Sequence, residues 1–404
     1  MSYQEHRLRH VEIFDTTLRD GEQAPGYSLT IDQKVELSSA LEHLGVNTIE
    51  TGFPISSPVD FEATRQICKN LKRAKVCGFA RAQRGDVSAC ANAMADAIYP
   101  QVQIASVSSD IHLLYKRQAS RGKIIEEAND AVEFAKSVGF TDISIAVEDA
   151  TRSDFEFIKR ILGQSIERGA STIAIPDTVG CCLPEEFGRL IKRLRRFVGP
   201  DIRISAHCHN DLGLAVANSV AALRAGADEI QTTLCGIGER AGNTSLEELV
   251  AVLNSKKSVL YRVHDVVHHK IYDTCAMLAH FLELPLPAHK PVIGDNAFST
   301  EAGMHQQGVI NRRFTYEHLR AEDYGATPRV ALGRHSGRTI IRRRLQESGM
   351  RNIEAHAVDA LYEELVRSEH MDRYHDAQYV LSRYEDIVQT RAPVHHIRSK
   401  VLPA

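Results

Sequence analysis

The chain has 404 residues, of which 43% are hydrophobic and 25% are charged, and its formal net charge is −3 at pH 7. These values are ordinary for a globular protein, and they favour neither a nucleic-acid-binding surface nor a membrane surface. No segment reaches the roughly 20 apolar residues of a membrane span, and the N-terminus, MSYQEHRLRHVEIF, lacks the apolar stretch of a signal peptide. The eight cysteines form no CxxC pair, which favours a reducing, cytoplasmic location.

Short β-branched runs alternate with helical patterns eight times between residue 11 and about residue 255. The predicted strands are VEIF (11–14), TIETGF (48–53), KVCGFA (75–80), VQIASV (102–107), DISIAV (142–147), TIAIPD (172–177), RISAHC (203–208) and EIQTTL (229–234). A helical pattern follows each strand, and Thr30 with Gln33 predicts a capping box at the start of the first helix.

Eight such units predict an α/β fold, a closed (β/α)8 TIM barrel, because right-handed crossovers between parallel strands leave few other arrangements. An open doubly wound sheet is the alternative, but no glycine-rich dinucleotide loop follows the first strand. We expect the barrel domain to span residues 1–285. A loop-rich linker subdomain that contributes to the active site is expected at 286–337, and a mostly helical C-terminal subdomain at 338–404.

Polar residues gather where the predicted strands end, which is where barrel enzymes carry their active sites. His207 and His209 are two residues apart on a strand, so both imidazoles should point into the barrel mouth. Asp20 could add a carboxylate and Asn243 an amide oxygen. Such a set suits Zn, Mn, Co or Mg; the alternative is a polar histidine pair without a metal.

Three further features also have two interpretations. Arg19 is either a site residue or part of a surface salt bridge, and Glu148 is either a site residue or a carboxylate at a helix N-terminus. The loop CGIGERAGNTS after the eighth strand either holds phosphate groups or only makes a tight turn.

Seven ordered motifs together resemble one known family. They are FDTTLRDGEQAPG, ETGFPISSPVDFEA, SDIHLLYKRQAS, HCHNDLGLAVANS, GIGERAGNTSLEEL, HKPVIGDNAFSTEAGMHQQGV and LGRHSGR. From about residue 11 to about residue 340, the chain is similar to the 2-isopropylmalate synthase family, which belongs to a group of metal-dependent TIM-barrel acyltransferases and lyases. The resemblance implies a Claisen condensation of acetyl-CoA with 3-methyl-2-oxobutanoate, followed by thioester hydrolysis, at the first committed step of leucine biosynthesis.

The resemblance also implies roles for individual residues. It makes the metal ligands Asp20, His207 and His209, with Asn243 in or close to the coordination sphere. The catalytic residues would be Arg19, Glu148, His305 and Tyr316. The acceptor would contact Thr178, His112, Arg81, Phe79 and Ala146, and the CoA end would contact Gly238, Glu239 and Arg240.

In the family, the Arg19 counterpart stabilises the alkoxide that forms on the keto oxygen, and the Thr178 counterpart binds the acceptor carboxylate. The counterpart of His305 removes the acetyl proton with help from that of Tyr316, and Glu148 would face the acetyl group. The segment after the barrel reaches into the partner subunit's site, so a homodimer is implied. Typical bacterial members also carry a C-terminal leucine-binding domain; because this chain ends at residue 404, we expect weak or absent leucine inhibition.

The chain departs from the family pattern at three positions. Phe79 replaces the usual Leu and Ala146 the usual Ser, both near the acceptor pocket, and Gln307 replaces an acid close to His305. Homocitrate and citramalate synthases, which use 2-oxoglutarate and pyruvate, are therefore alternatives. Homocitrate synthase needs a cation for the distal carboxylate of its acceptor, and His112 is ambiguous in that role. A metal-dependent acyl-CoA lyase is less favoured because its cysteine-bearing loop has no clear counterpart, and a non-catalytic barrel conflicts with the joint presence of Arg19, the metal set and His305.

Overall fold

The structure is a computed structural model that describes residues 8–330, 332, 333, 335–370, 373, 374 and 376–391. Its central feature is a closed barrel of eight parallel strands, in which each strand pairs with the next and β8 pairs with β1. The strands are β1 (Glu12–Asp15), β2 (Thr48–Glu50), β3 (Lys75–Arg81), β4 (Pro100–Val107), β5 (Asp142–Glu148), β6 (Thr172–Asp177), β7 (Arg203–Cys208) and β8 (Glu229–Thr232).

The predicted TIM barrel is confirmed, with all eight strands in their predicted order. Strand β2 ends three residues earlier than the sequence suggested, at Glu50. Two residues later Gly52 adopts a φ of 145°, a backbone conformation outside the extended region, so the strand does not continue.

One helix follows each strand and packs outside the barrel. These helices are α1 (Ile31–Leu44), α2 (Pro58–Asn70), α3 (Arg84–Ala93), α4 (Arg121–Ser137), α5 (Phe155–Arg168), α6 (Pro184–Val198), α7 (Ala215–Ala225) and α8 (Leu246–Ser255). Helix α1 begins at the predicted capping box of Thr30 and Gln33 and ends at Gly45 in the left-handed region. None of the described helices combines the length and apolarity needed to cross a membrane.

Beyond α8 lie α9 (Lys257–Leu260) and α10 (Ile271–Phe281). The helical pattern HDVVHHKIYDTCAMLAHFLEL predicts a helix from His264, and this is wrong for residues 264–267, which are not helical. Directly before them, Arg262–Val263 form a short strand that pairs in parallel with Arg9–His10, and the Val267 N–H donates to the Leu44 carbonyl. These bonds occupy backbone groups that a helix would need.

The described residues fall into two compact units. The first contains the chain up to residue 286 together with 291–293 and 323–326, and the second contains 287–290, 294–322 and the chain from 327 onward. The second unit holds α11 (Gly303–Asn311), α12 (Arg338–Glu347), α13 (Ala355–Arg367) and α14 (Ala377–Arg391). The last three helices pack around a core that includes Leu345, Leu361 and Tyr384, which confirms the helical C-terminal region. The expected boundaries at 285/286 and 337/338 stay predictions.

A charged network closes the N-terminal end of the barrel interior. Lys75 lies 3.2 Å from Glu12 and 3.3 Å from Asp142, and Arg203 lies 3.6 Å and 3.5 Å from the same two acids. Glu229 is buried beside them, and its Oε2 has no hydrogen-bond partner among the described residues. Burial raises the pKa of Glu229 to about 7, although Ser205 and Arg203 act in the opposite direction.

The first prediction concerns the Glu229→Gln variant. Between pH 4.5, the ordinary pKa of the group, and pH 7, the folded chain keeps a proton that the unfolded chain loses, so Glu229 lowers stability as pH rises. The amide of glutamine does not titrate, so the variant lacks this loss of stability with rising pH. In thermal unfolding, we expect the Tm of the variant minus that of the parent to increase from pH 5 to pH 8. The matched control is Glu167→Gln on the exposed face of α5, which should leave the pH dependence unchanged.

Candidate metal centre and active site

The C-terminal ends of the barrel strands surround a cavity of about 370 Å³. Its lining comes from six of the eight strands, β3 to β8, from loops that follow the strands, and from helix α4. Ligand sites of TIM barrels lie at this end because the loops there converge on the barrel axis. The cavity is therefore the place where the predicted site residues should meet.

Three predicted metal ligands converge in this cavity. His207 and His209, at the end of β7, project to the same side, and their Nε2 atoms are 3.1 Å apart. The Oδ2 atom of Asp20, from the loop after β1, lies 3.3 Å from Nε2 of His207 and 3.8 Å from Nε2 of His209. All three side chains are buried, and their donor atoms lie within 4.8 Å of one another.

The unsatisfied atoms around this cluster match a cation site. Oδ1 of Asp20, Oδ1 of Asn243 and Nδ1 of His209 are buried without a hydrogen-bond partner in the described part of the chain. Asn243 pairs with His209 through an isolated antiparallel bridge, and its amide nitrogen donates to the Ile237 carbonyl at 3.1 Å. Two imidazoles, a carboxylate and a free amide oxygen suit a divalent cation.

The electrostatics of the cluster favour metal-binding protonation states. Burial would raise the pKa of Asp20, but the Arg19 guanidinium holds it below its ordinary value. Burial, with the positive charge that His207 can carry, lowers the pKa of His209 to about 4. At neutral pH the site therefore holds an ionised carboxylate and a neutral His209, as a metal requires.

A buried chain of hydrogen bonds connects His207 to Arg19 across the barrel. Nδ1 of His207 lies 3.0 Å from Oε1 of Gln231, whose amide nitrogen donates to Gln103 at 2.8 Å. Gln103 donates to Glu50 at 2.9 Å, and Arg19 donates to the other oxygen of Glu50 at 2.7 Å. Because Gln231 can only accept from His207, the proton of His207 stays on Nδ1 and the lone pair of Nε2 faces Asp20.

The sequence interpretation missed Glu50, Gln103 and Gln231. Each is a polar residue inside an apolar strand run, in TIETGF, VQIASV and EIQTTL respectively. All three are buried at inward-facing positions. A polar residue at such a position was the signal that could have identified them.

Arg19 has both a charged and an aromatic environment. Its Nη1 lies 3.2 Å from Oδ2 of Asp20, and its guanidinium carbon lies 4.7 Å from the centre of the Phe79 ring. Phe79 in turn meets Phe53 edge to face at 5.1 Å. The guanidinium is thus fixed by an ion pair and a cation–π contact beside the candidate metal centre.

Most of the other predicted site residues also lie at the cavity. Thr178, Arg81, Phe79, Ala146, Glu148 and Glu239 line it. Glu148 pairs with Lys116 at 2.6 Å and lies 3.3 Å from His112, while Arg81 pairs with Asp86 at 2.7 Å. Four of the five expected acceptor contacts thus line the cavity, whereas His112, Gly238 and Arg240 are not among its lining residues.

The loop after β8 is shaped around Asn243. Gly238 has a φ of 152°, and a Cβ atom there would lie 2.1 Å from the Asn243 amide nitrogen, so only glycine fits. Arg240 pairs with Asp211 at 2.8 Å and donates to the Thr178 carbonyl at 2.7 Å. The loop is thereby tied to the segments that follow β6 and β7.

His305 and Tyr316 belong to the second unit. Their ring centres are 4.2 Å apart, and both side chains are exposed. Gln307, which replaces the acid usual in the family, is also exposed and donates to Asn311. The structure therefore brings these two predicted catalytic residues next to each other.

A second group of potential ligands, Asp177, Cys181 and Cys182, lies after β6. The carboxylate of Asp177 accepts hydrogen bonds from the backbone N–H groups of both cysteines, from Thr151 and from Asn218. These donors satisfy the carboxylate, so the group is explained as a loop anchor.

Comparisons with known proteins agree with this architecture. The HMGL-like family matches residues 10–278, and the family described as homocitrate synthase post-HMGL domain-like matches residues 292–371. A 2-isopropylmalate synthase of Sediminispirochaeta smaragdinae is 42% identical over 345 residues, which cover 84% of this chain and 68% of that protein. The 2-isopropylmalate synthase 1 of Caldanaerobacter subterraneus subsp. tengcongensis is 40% identical, with 85% of this chain and 87% of that protein covered.

Among solved structures, the chain resembles the HMG-CoA lyase of Bacillus subtilis. The TM-score is 0.61 at 18% identity, and the match covers 70% of this chain and 97% of that one. At this identity the likeness supports the barrel fold alone.

The second prediction concerns the Gln231→Leu variant, which removes the acceptor for the Nδ1 proton of His207. Loss of such a partner lowers metal affinity about 10–100-fold, and we expect this loss in calorimetric titrations of metal-free protein with Co²⁺ or Mn²⁺. The matched control is Gln101→Leu, a buried glutamine of β4 whose amide donates to Asp142. Equal affinities of the two variants would contradict a role for Gln231 in orienting His207.

Proposed function

This chain belongs to the 2-isopropylmalate synthase family, and from that membership we propose that it condenses acetyl-CoA with 3-methyl-2-oxobutanoate. Hydrolysis of the resulting thioester gives 2-isopropylmalate and CoA, at the first committed step of leucine biosynthesis. The observation that carries the proposal is the convergence of Asp20, His207 and His209 beside Arg19 in one cavity.

The metal-binding residues are Asp20, His207 and His209, with Asn243 next to them. A divalent cation (Mn, Mg, Zn or Co) bound there supplies Lewis acidity to the keto group of the 2-oxo acid. The Arg19 guanidinium keeps Asp20 ionised, and Gln231 fixes the tautomer of His207.

Arg19 stabilises the charge that develops on the keto oxygen as the new carbon–carbon bond forms. Its guanidinium lines the cavity and is held by Glu50 and Asp20, so no side-chain rearrangement is needed when the alkoxide appears. The charge exists only along the reaction path, so the stabilisation accelerates the step.

Thr178 binds the acceptor carboxylate. Its Oγ1 accepts a hydrogen bond from the Asp149 N–H at 2.9 Å, which leaves the hydroxyl proton free to be donated into the cavity. Glu148, on the same lining, faces the acetyl group of acetyl-CoA. Gly238, Glu239 and Arg240 hold the CoA end.

Removal of the acetyl methyl proton generates the enolate that attacks the keto carbon. His305 is proposed as the base and Tyr316 as its assistant, and their ring contact at 4.2 Å supports a joint role. A homodimer and a cytoplasmic location also stay predictions. The free state of all eight cysteines supports the proposed location.

The third prediction tests Arg19. In the Arg19→Gln variant we expect kcat for CoA release from acetyl-CoA and 3-methyl-2-oxobutanoate to fall about 10²–10³-fold, the typical effect of losing one oxyanion donor. A thiol-reactive dye follows CoA release, and a Co²⁺ titration shows whether the metal centre is intact. The matched control is Arg84→Gln, which breaks the exposed pair with Asp130 on α3 and α4.

The two possible failures of this experiment differ in meaning. Unchanged kcat in Arg19→Gln would contradict the alkoxide role. If the unmodified, metal-loaded protein released no CoA with any 2-oxo acid, the condensation itself would be overturned.

A further inference from the structure

One level of the barrel interior is built from unusually small side chains. The strand register aligns Arg81, Ala105, Ala146, Ala174 and Ser205 across five consecutive strands, β3 to β7. Inner layers of TIM barrels are dominated by bulky branched side chains. Each of the neighbouring strands β4, β5 and β6 contributes only the methyl group of an alanine here. This level is therefore not filled by side chains and forms part of the cavity.

Three further apolar residues beside the alanines give the cavity an aromatic or rigid wall. Phe79 is held between the Arg19 guanidinium and the Phe53 ring, and Pro176 and Val107 also line the space. Because the ring of Phe79 is fixed from two sides, it forms a firm wall beside Arg19. Together with the three alanines, these residues form what we call the alanine chamber: Phe79, Ala105, Ala146, Ala174, Pro176 and Val107.

The cations along the cavity are already neutralised. Each of the four described cationic side chains that line it has an acidic partner within 2.7 Å: Arg19 with Glu50, Arg81 with Asp86, Lys116 with Glu148 and Arg117 with Glu127. A second carboxylate on an acceptor would have to displace one of these acids. The chamber therefore matches an uncharged side chain.

We propose that the alanine chamber receives the side chain of the acceptor, and that it takes 2-oxo monocarboxylic acids with apolar side chains larger than isopropyl. The inference rests on the proposed function, because it assumes condensation at this site. With the keto oxygen at Arg19 and the carboxylate at Thr178, the acceptor side chain faces the apolar lining, which consists of the chamber together with Phe53, Ala82 and Ile124. Larger aliphatic or aromatic side chains bury more surface there, whereas a methyl group leaves it largely uncovered.

The fourth prediction is the resulting order of acceptors. For the metal-loaded protein we expect 4-methyl-2-oxopentanoate and phenylpyruvate to reach kcat/KM values within about tenfold of that for 3-methyl-2-oxobutanoate. Pyruvate should lie at least about tenfold lower, because each missing methylene costs about 10-fold or more in an apolar pocket. 2-Oxoglutarate should be the poorest acceptor. CoA release gives kcat/KM, and calorimetric titration of each acid without acetyl-CoA gives its Kd.

Filling the chamber tests its assignment within the same protein. In Ala146→Leu we expect kcat/KM for the two larger acids to fall at least about tenfold more than that for 3-methyl-2-oxobutanoate. The matched control is Ala95→Leu, an exposed alanine after α3, which should not change the order of acceptors. Ala105→Val introduces a smaller obstruction at the same level, and it keeps the test informative if the leucine variant does not fold.

The outcomes separate the two proposals. Binding of the larger acids without CoA release from any acceptor would overturn the proposed condensation and support the chamber. Turnover of 3-methyl-2-oxobutanoate without binding or turnover of larger acids would overturn the chamber alone. A preference for 2-oxoglutarate would contradict the charge argument, and equal loss for all acids in Ala146→Leu would show that the chamber does not hold the side chain.

Discussion

The ion pair between Arg19 and Glu50 is the contact on which the rest of the site depends. Glu50 is fully buried on β2, and its two oxygens accept from Arg19, Thr16 and Gln103. Breaking a buried pair by removing one partner costs about 3–5 kcal/mol, because the remaining charge has no compensation. The same pair sets Arg19 beside Asp20, and through Gln103 and Gln231 it determines which nitrogen of His207 carries the proton.

This dependence explains how much of the site could be predicted from the sequence. Side chains alternate between the two faces of a strand, so RISAHCHND predicted that His207 and His209 point to the same side. The position of Asp20 after the first predicted strand placed a carboxylate near them. The barrel itself followed from eight repeats of strand and helix. Both inferences use local sequence patterns. Such patterns predict the structure correctly where they agree with the burial of hydrophobic side chains.

The glutamine and glutamate network could not be predicted in this way. Gln231 and Gln103 are 128 residues apart, and their contact exists only because the barrel closes. Alternation along a strand shows that a side chain points inward, but it does not show which inward side chain of another strand it meets. The same limit applies to the alanine level, whose emptiness depends on the register of five strands. Arg19, Asp20 and the two histidines lie after β1 and at the end of β7, whereas the alanine chamber lies on β3 to β6, so the chamber can change while these residues stay in place.

The short parallel pair between Arg9–His10 and Arg262–Val263 has a mechanical meaning. The barrel is covalently open between β8 and β1, and this seam is closed by hydrogen bonds alone. The pair adds two further backbone bonds beside the seam, from Arg9 to Tyr261 and from Val11 to Val263. These bonds connect the segment that precedes β1 to the segment that follows α9. Tension applied between the two segments would load these parallel bonds in shear before it reached β1, which precedes the loop that carries Arg19 and Asp20.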